Sequence, residues 1–144
     1  MRLHLGVMDV PYKEGSNSNT KTTGDVAEIL ETKYNVMAVF YEEHAAQISD
    51  WLAESVADQV EAMMGGAPAP SDPFQDGTQN IEARFKDFLA LREMDSLGIP
   101  GVPTRAAQMG VSHRFKHPYA KRAPRPSFID TSLYVSSMKV WVEK

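Results

Sequence analysis

Leu3, Leu5 and Val7 alternate with His4, Gly6 and Met8. That period of two predicts a half-buried strand over residues 2–10, stopped by Pro11. The small polar run from Tyr12 to Thr22 reads as a loop or arm, one that orders on docking. Thr23 then offers a helix cap, with Val26, Ala27, Ile29 and Leu30 as the buried stripe and Asp25 and Glu28 in the first turns. Lys33 falls in the last turn, and Asn35 supplies a left-handed stop. A long helix follows over 36–64, where Val36, Val39, Phe40, Ile48, Trp51, Leu52, Val56, Val60 and Met63 recur at three- and four-residue spacings. Gly65 and Gly66 end it, and residues 65–77 form a Pro-rich loop.

A further helix is expected over 78–96, with Ile81, Phe85, Phe88, Leu89 and Leu91 inside and Gly98 closing it. Thr104 caps a short helix that ends at Gly110. After a stretch rich in Lys, Arg and Pro, Asp130 or Thr131 caps another short helix over 132–137. Met138, Val140 and Val142 then alternate with Lys139, Trp141 and Glu143, a second strand. Two strands at opposite ends of a chain most simply pair with each other. The expected fold is therefore α+β: a single domain over 1–144, mostly helical, with a small antiparallel sheet pairing the N- and C-terminal strands. A two-stranded ribbon is marginal alone and needs helices on one face or strands from neighbouring copies.

Length and composition fit one globular domain: 144 residues, 42% hydrophobic and 24% charged. The absence of cysteine excludes a disulfide framework and thiolate metal sites. The N-terminal stretch is too short and polar for a signal peptide, and no run has the length of a membrane span. These points predict a soluble protein kept inside a cell.

The net charge of −4 hides two blocks of opposite sign. Residues 34–83 contain no Lys or Arg but hold Glu42, Glu43, Asp50, Glu54, Asp58, Glu61, Asp72, Asp76 and Glu82. Residues 96–129 contain no Asp or Glu but hold Arg105, Arg114, Lys116, Lys121, Arg122 and Arg125. Self-contained surfaces usually mix signs. Segregated blocks pair within one molecule, or between copies in a head-to-tail contact that closes into a ring, or place the basic strip on nucleic acid. The segment 113–126 interleaves cations with Phe115 and Tyr119, and Pro118, Pro124 and Pro126 stiffen it as an extended arm.

Candidate chemistry is sparse. His113 and His117 have the spacing of two ligands on a helix, but Pro118 opposes helix there and no nearby carboxylate completes a zinc site. His44 lies beside Glu42 and Glu43, with Ser49 and Asp50 close in sequence, yet nothing marks a converging nucleophile, base and orienter. There is no G-x-S-x-G, Gly-rich phosphate loop or H-E-x-x-H. No catalytic residue, metal or cofactor is expected, and an enzyme would need one of these histidines to meet a carboxylate in a pocket.

The C-terminal elements Arg125-Pro126-Ser127-Phe128 and Asp130-Thr131-Ser132-Leu133-Tyr134, leading into a strand, resemble those of small neck proteins of tailed bacteriophages, the group of head–tail connector, tail-completion and tail-terminator proteins. Val26, Ala27 and Glu31 add a weaker match to a helix of that group. Ser132 departs from the usual glycine, and would carry a steric cost if that position is left-handed. No motif matches between Val36 and Ala123. The resemblance implies a structural protein of the virion, assembled in the host cytoplasm. It would form a homo-oligomeric ring against adjacent neck, portal-adaptor or tail proteins, and genomic DNA would pass through the lumen without sequence-specific binding. No membrane is involved. The expected interface residues are Arg114, Lys116, Tyr119, Lys121, Arg122, Arg125, Phe128, Asp130 and Tyr134 on the basic side, against Glu54, Asp58 and Glu61 on the acidic helix. The alternative is a nucleic-acid-binding module using the arm 113–126.

Overall fold

In the computed structural model, the described residues are 1–12, 21–111, 123–129 and 132–143. The expected cap at Thr131 and most of the polar loop lie outside them. The chain is mostly helical: β1 (Arg2–Val7), α1 (Thr23–Tyr34), α2 (Val36–Met64), α3 (Gln75–Ala90), a 3-10 turn (Glu93–Ser96), α4 (Arg105–Met109), α5 (Leu133–Ser136) and β2 (Met138–Glu143). β1 and β2 pair antiparallel, with Leu5 opposite Val140 and Val7 opposite Met138. The ends of the chain thus form the expected ribbon.

Local chemistry accounts for the boundaries. The cap of α1 is Thr22 rather than Thr23: its hydroxyl accepts from the Asp25 amide while the Asp25 carboxylate accepts from the Thr22 amide, a reciprocal capping box. Thr23 is buried and bonds to the segment just after β1 instead, donating to the Met8 carbonyl and accepting from the Val10 amide. Asp9 accepts from the Gly24 amide at 3.0 Å, so the strand end and the helix start are fastened together. Asn35 ends α1 at φ 49°, ψ 47°, and the same residue precedes α2. It makes no side-chain cap there. Glu31 takes that role from the last turn of α1, accepting from the Met37 amide at 2.9 Å and the Ala38 amide at 3.1 Å. A carboxylate at a helix N-terminus also meets the positive end of the helix dipole.

α2 and α3 form an antiparallel hairpin. Ser55 donates to the Pro73 carbonyl at 2.8 Å near its closed end. Gly77 then brings α3 against the α2 backbone: a Cβ there would stand 2.8 Å from the Trp51 carbonyl oxygen and 3.1 Å from the Leu52 Cα. Further along, Phe40 meets Phe85 edge-on at 5.2 Å and Phe88 at 5.5 Å. These three rings are fully buried, each contributing about 1.5–3 kcal/mol by burial. α3 ends at Ala90 rather than running to Ser96, because Arg92 turns left-handed at φ 59° and the chain re-forms as the 3-10 turn. α3 also supports the ribbon, and Val140, Met138, Val135 and Tyr134 join the same apolar cluster as the three phenylalanines. Thr104 caps α4 as expected, accepting from the Ala107 amide.

Candidate functional site

The acidic candidates lie on the outer part of α2. α3 begins level with Trp51–Ser55 of α2, so beyond that point no helix among the described residues packs on α2. From Ala57 to Ala69 every residue is exposed except half-buried Gln59. Glu54, Asp58 and Glu61 sit at helical spacing on this projecting end, all exposed. No Lys or Arg among the described residues pairs with them. The ion pairs among the described residues are His4–Glu143, His44–Glu93, Arg84–Glu93 and Lys139–Glu82, and none joins the acidic block to the basic one. Beside the carboxylates, Val60 is 50% and Met64 85% exposed. The 3.6-residue period puts Val60 and Met63 on the buried stripe, yet Met63 is also exposed, because the pattern reports one face of a helix, not whether a neighbour covers it.

Arg125, Phe128 and Tyr134 do not project toward a neighbour. The Arg125 guanidinium donates to the carbonyls of Ile129 at 2.9 Å and Val111 at 3.2 Å, and its amide donates to Ala107 at 3.0 Å. Ser127 is buried and accepts from the Thr104 amide at 3.1 Å. Phe128, left-handed at φ 67°, packs its ring 5.1 Å from Tyr34. The Arg-Pro-Ser-Phe element is therefore a clasp that fixes residues 104–111 and α1 to one another. Tyr134 is a correction to the sequence reading: only 3% exposed, it faces Phe85 at 6.3 Å within its own core. The sequence reading missed this because Arg and Tyr look alike as interface anchors and as internal staples. Arg114, Lys116, Tyr119, Lys121, Arg122 and Asp130, with His113 and His117, lie outside the described residues.

Two perturbed groups mark local chemistry. Burial pushes the Tyr134 phenol well above its ordinary range, with the Glu31 carboxylate and Tyr12 adding to the shift. Its hydroxyl finds no hydrogen-bond partner among the described residues. Hydrogen bonds from the Thr22 side chain and the Gly24 amide hold the Asp9 carboxyl below the ordinary aspartate range.

His44 does meet a carboxylate, which its sequence neighbours gave no reason to expect. Its Nε2 lies 3.4 Å from Glu93 Oε2, and one Arg84 nitrogen donates to both Glu93 oxygens at 2.7 and 2.9 Å. Nδ1 lies 3.0 Å from the Phe40 carbonyl one turn back, and the ring stacks on Phe40 at 4.9 Å. No hydroxyl or amine nucleophile among the described residues bonds to it. The trio ties α2 and α3 to the 3-10 turn. Among the described residues no group of three His, Asp or Glu side chains could hold a metal ion, and no helix is long and apolar enough to cross a membrane.

No family model, curated protein or solved structure matches this chain.

Proposed function

We propose that the chain is a structural virion protein that forms a ring in the neck of a tailed phage, joining the portal or head-completion complex to the tail around the DNA channel. The observation that carries this reading is the outer end of α2. It holds the exposed Glu54, Asp58 and Glu61, which pair with no cation among the described residues, beside exposed Val60 and Met64. An acidic, partly apolar projection on a chain with a separate basic block suits a head-to-tail contact between copies. The resemblance of the Arg125–Phe128 and Asp130–Tyr134 elements to phage neck proteins supplies the setting.

The basic stretch of one subunit, including Arg114, Lys116, Lys121 and Arg122, meets the acidic end of α2 on the next subunit or stacked ring. Arg125 and Phe128 act one step back, fixing the C-terminal end of that stretch to their own subunit. Reversing Arg125 would damage the fold, so assembly is tested by Lys121→Glu with Arg122→Glu, and separately by Glu54→Lys with Asp58→Lys and Glu61→Lys. Each set alone should abolish assembly with Tm unchanged, and mixing the two should restore it. Normal assembly of either set by itself would overturn the contact.

Electron microscopy of the encoding particle, with the protein labelled or deleted, tests the setting. A labelled ring at the head–tail junction is the expected result. Infectious, normally tailed particles in its absence would overturn the neck reading. The arm would then be tested on nucleic acid, where affinity should fall steeply with salt and survive in a monomer.

A further inference from the structure

The two edges of the ribbon are not equivalent. In the observed register the Met8 amide donates to the Ser137 carbonyl, while the Val140 amide points away from β1 and donates to Glu82 at 3.0 Å. Antiparallel strands alternate inward and outward backbone groups. Leu3, Leu5 and Val7 therefore turn their amides and carbonyls outward on β1, and Met138, Val140 and Val142 do so on β2.

The β2 edge is closed at its centre. Glu82 takes the Val140 amide with one oxygen and reaches the Lys139 ammonium at 3.4 Å with the other. The outward groups of Leu3, Leu5 and Val7 bond to nothing among the described residues. Burial shows the same asymmetry. Met138 and Val140 are 1% and 6% exposed, whereas Val7 and Leu5, directly opposite them on the same face, are only half-buried. Natural sheets protect open edges with Lys, Pro or a bulge. The run from Leu3 to Val7 has none of these.

We propose that the open edge of β1 pairs with β1 of a second copy, antiparallel about a two-fold axis at Leu5, to make one four-stranded sheet ordered β2-β1-β1-β2. The strand is self-complementary in that register. Leu3 falls opposite Val7 of the partner subunit and Leu5 opposite its counterpart, all on the face that already carries the core. On the other face His4 falls opposite Gly6 and Arg2 opposite Met8, so no like charges meet. The outer edges of the new sheet are both β2, both closed by Glu82, so the pairing stops at two copies. This is an isologous contact. It is separate from the head-to-tail contact and stands whether or not the neck reading does.

The chain contains no cysteine, so a single introduced thiol reports the contact cleanly. Opposed Cα atoms of a hydrogen-bonded antiparallel pair stand about 5.5 Å apart, within the disulfide range of about 4.4–6.8 Å. Leu5→Cys should form a disulfide-linked dimer under mild oxidation, and Val142→Cys, on the closed edge, should not. In the unmodified chain, light scattering should show mass doubling with concentration. Over the same range the Leu3, Leu5 and Val7 amides should exchange with solvent about tenfold or more slowly. A monomer at every concentration, with those amides fast throughout, would overturn the proposal. So would a dimer in which they stay fast, since its contact would lie elsewhere.

Discussion

Glu31 offers a direct test of how α2 is held, because one carboxylate serves the N-terminus of a 29-residue helix. Asn35 in the left-handed region makes no side-chain cap, so Glu31→Ala strips the Met37 and Ala38 amides of their acceptor. Loss of a cap costs about 0.5–2 kcal/mol. The helix dipole adds about 0.3–1 kcal/mol for a charge at this position. Glu31 is half-buried, which favours the upper part of the range, and a loss of about 2 kcal/mol is expected. At about 2.1 cal/mol/K per residue, a chain of this length has an unfolding entropy of about 0.3 kcal/mol/K, so Tm should fall by about 6 °C. Differential scanning calorimetry at pH 7 measures this, with Glu28→Ala as control: Glu28 is exposed on the same helix, and its removal should stay within about 0.5 kcal/mol. Glu31→Gln should fall between the two, since an amide oxygen still accepts but carries no charge. A Glu31→Ala Tm within about 1 °C of the wild type would refute the claim that this side chain supports α2.

Further outcomes follow from individual positions. Tyr134→Phe removes a buried hydroxyl that has no partner among the described residues and should stabilise the chain by about 1 kcal/mol at pH 7 in urea unfolding. The folded-state pKa of Tyr134 is raised above its ordinary value of 10.0. Its contribution is therefore fully present below about pH 10 and lost as pH rises beyond it, so wild-type stability should drop on the alkaline limb more steeply than that of Tyr134→Phe. Gly77→Ala should destabilise by about 1–3 kcal/mol despite the better helix propensity of alanine, because its Cβ would press on the Trp51 carbonyl; a gain in Tm would show that the hairpin opens freely. Ser132 is left-handed at φ 63°, a conformation costing an L-residue about 1–2 kcal/mol. Ser132→Gly should therefore stabilise by about 0.5–1 kcal/mol after glycine's own entropy loss, measured by the same calorimetry.

Strand alternation at both ends, the period across 36–64 and the Asn35 stop were legible in the sequence because each depends on neighbours a few residues apart. The pairing of the ends followed from there being no other strand to satisfy either. What escaped was decided at long range. Thr22 and Thr23 are equally good caps in isolation, and the Met8 carbonyl and Val10 amide select which one is buried against the chain leaving β1. α3 stops at Ala90 because Glu93 is held by Arg84, nine residues back, on a path that needs Arg92 left-handed. Val60 and Met63 carry the core pattern but lie beyond the start of α3, and no local signal reports where a partner helix begins. At the candidate site the charge segregation was visible at once. The inward role of Arg125 was not, since its acceptors among the described residues are backbone carbonyls that any sequence provides.

The tight seat of Gly77 against Trp51 and Leu52 makes the α2–α3 crossing a pivot, and the helix beyond it a lever. From Leu52 to Met64 the axis runs about 18 Å at 1.5 Å per residue. A rotation of about 10° at the pivot, within the ordinary scatter of helix crossings, would swing the tip by about 3 Å. That displacement is comparable to the reach of an ion pair. The aim of Asp58 and Glu61 is thus set by a backbone contact some two turns away. A substitution at the pivot could leave every carboxylate in place and still turn them from whatever they are built to meet.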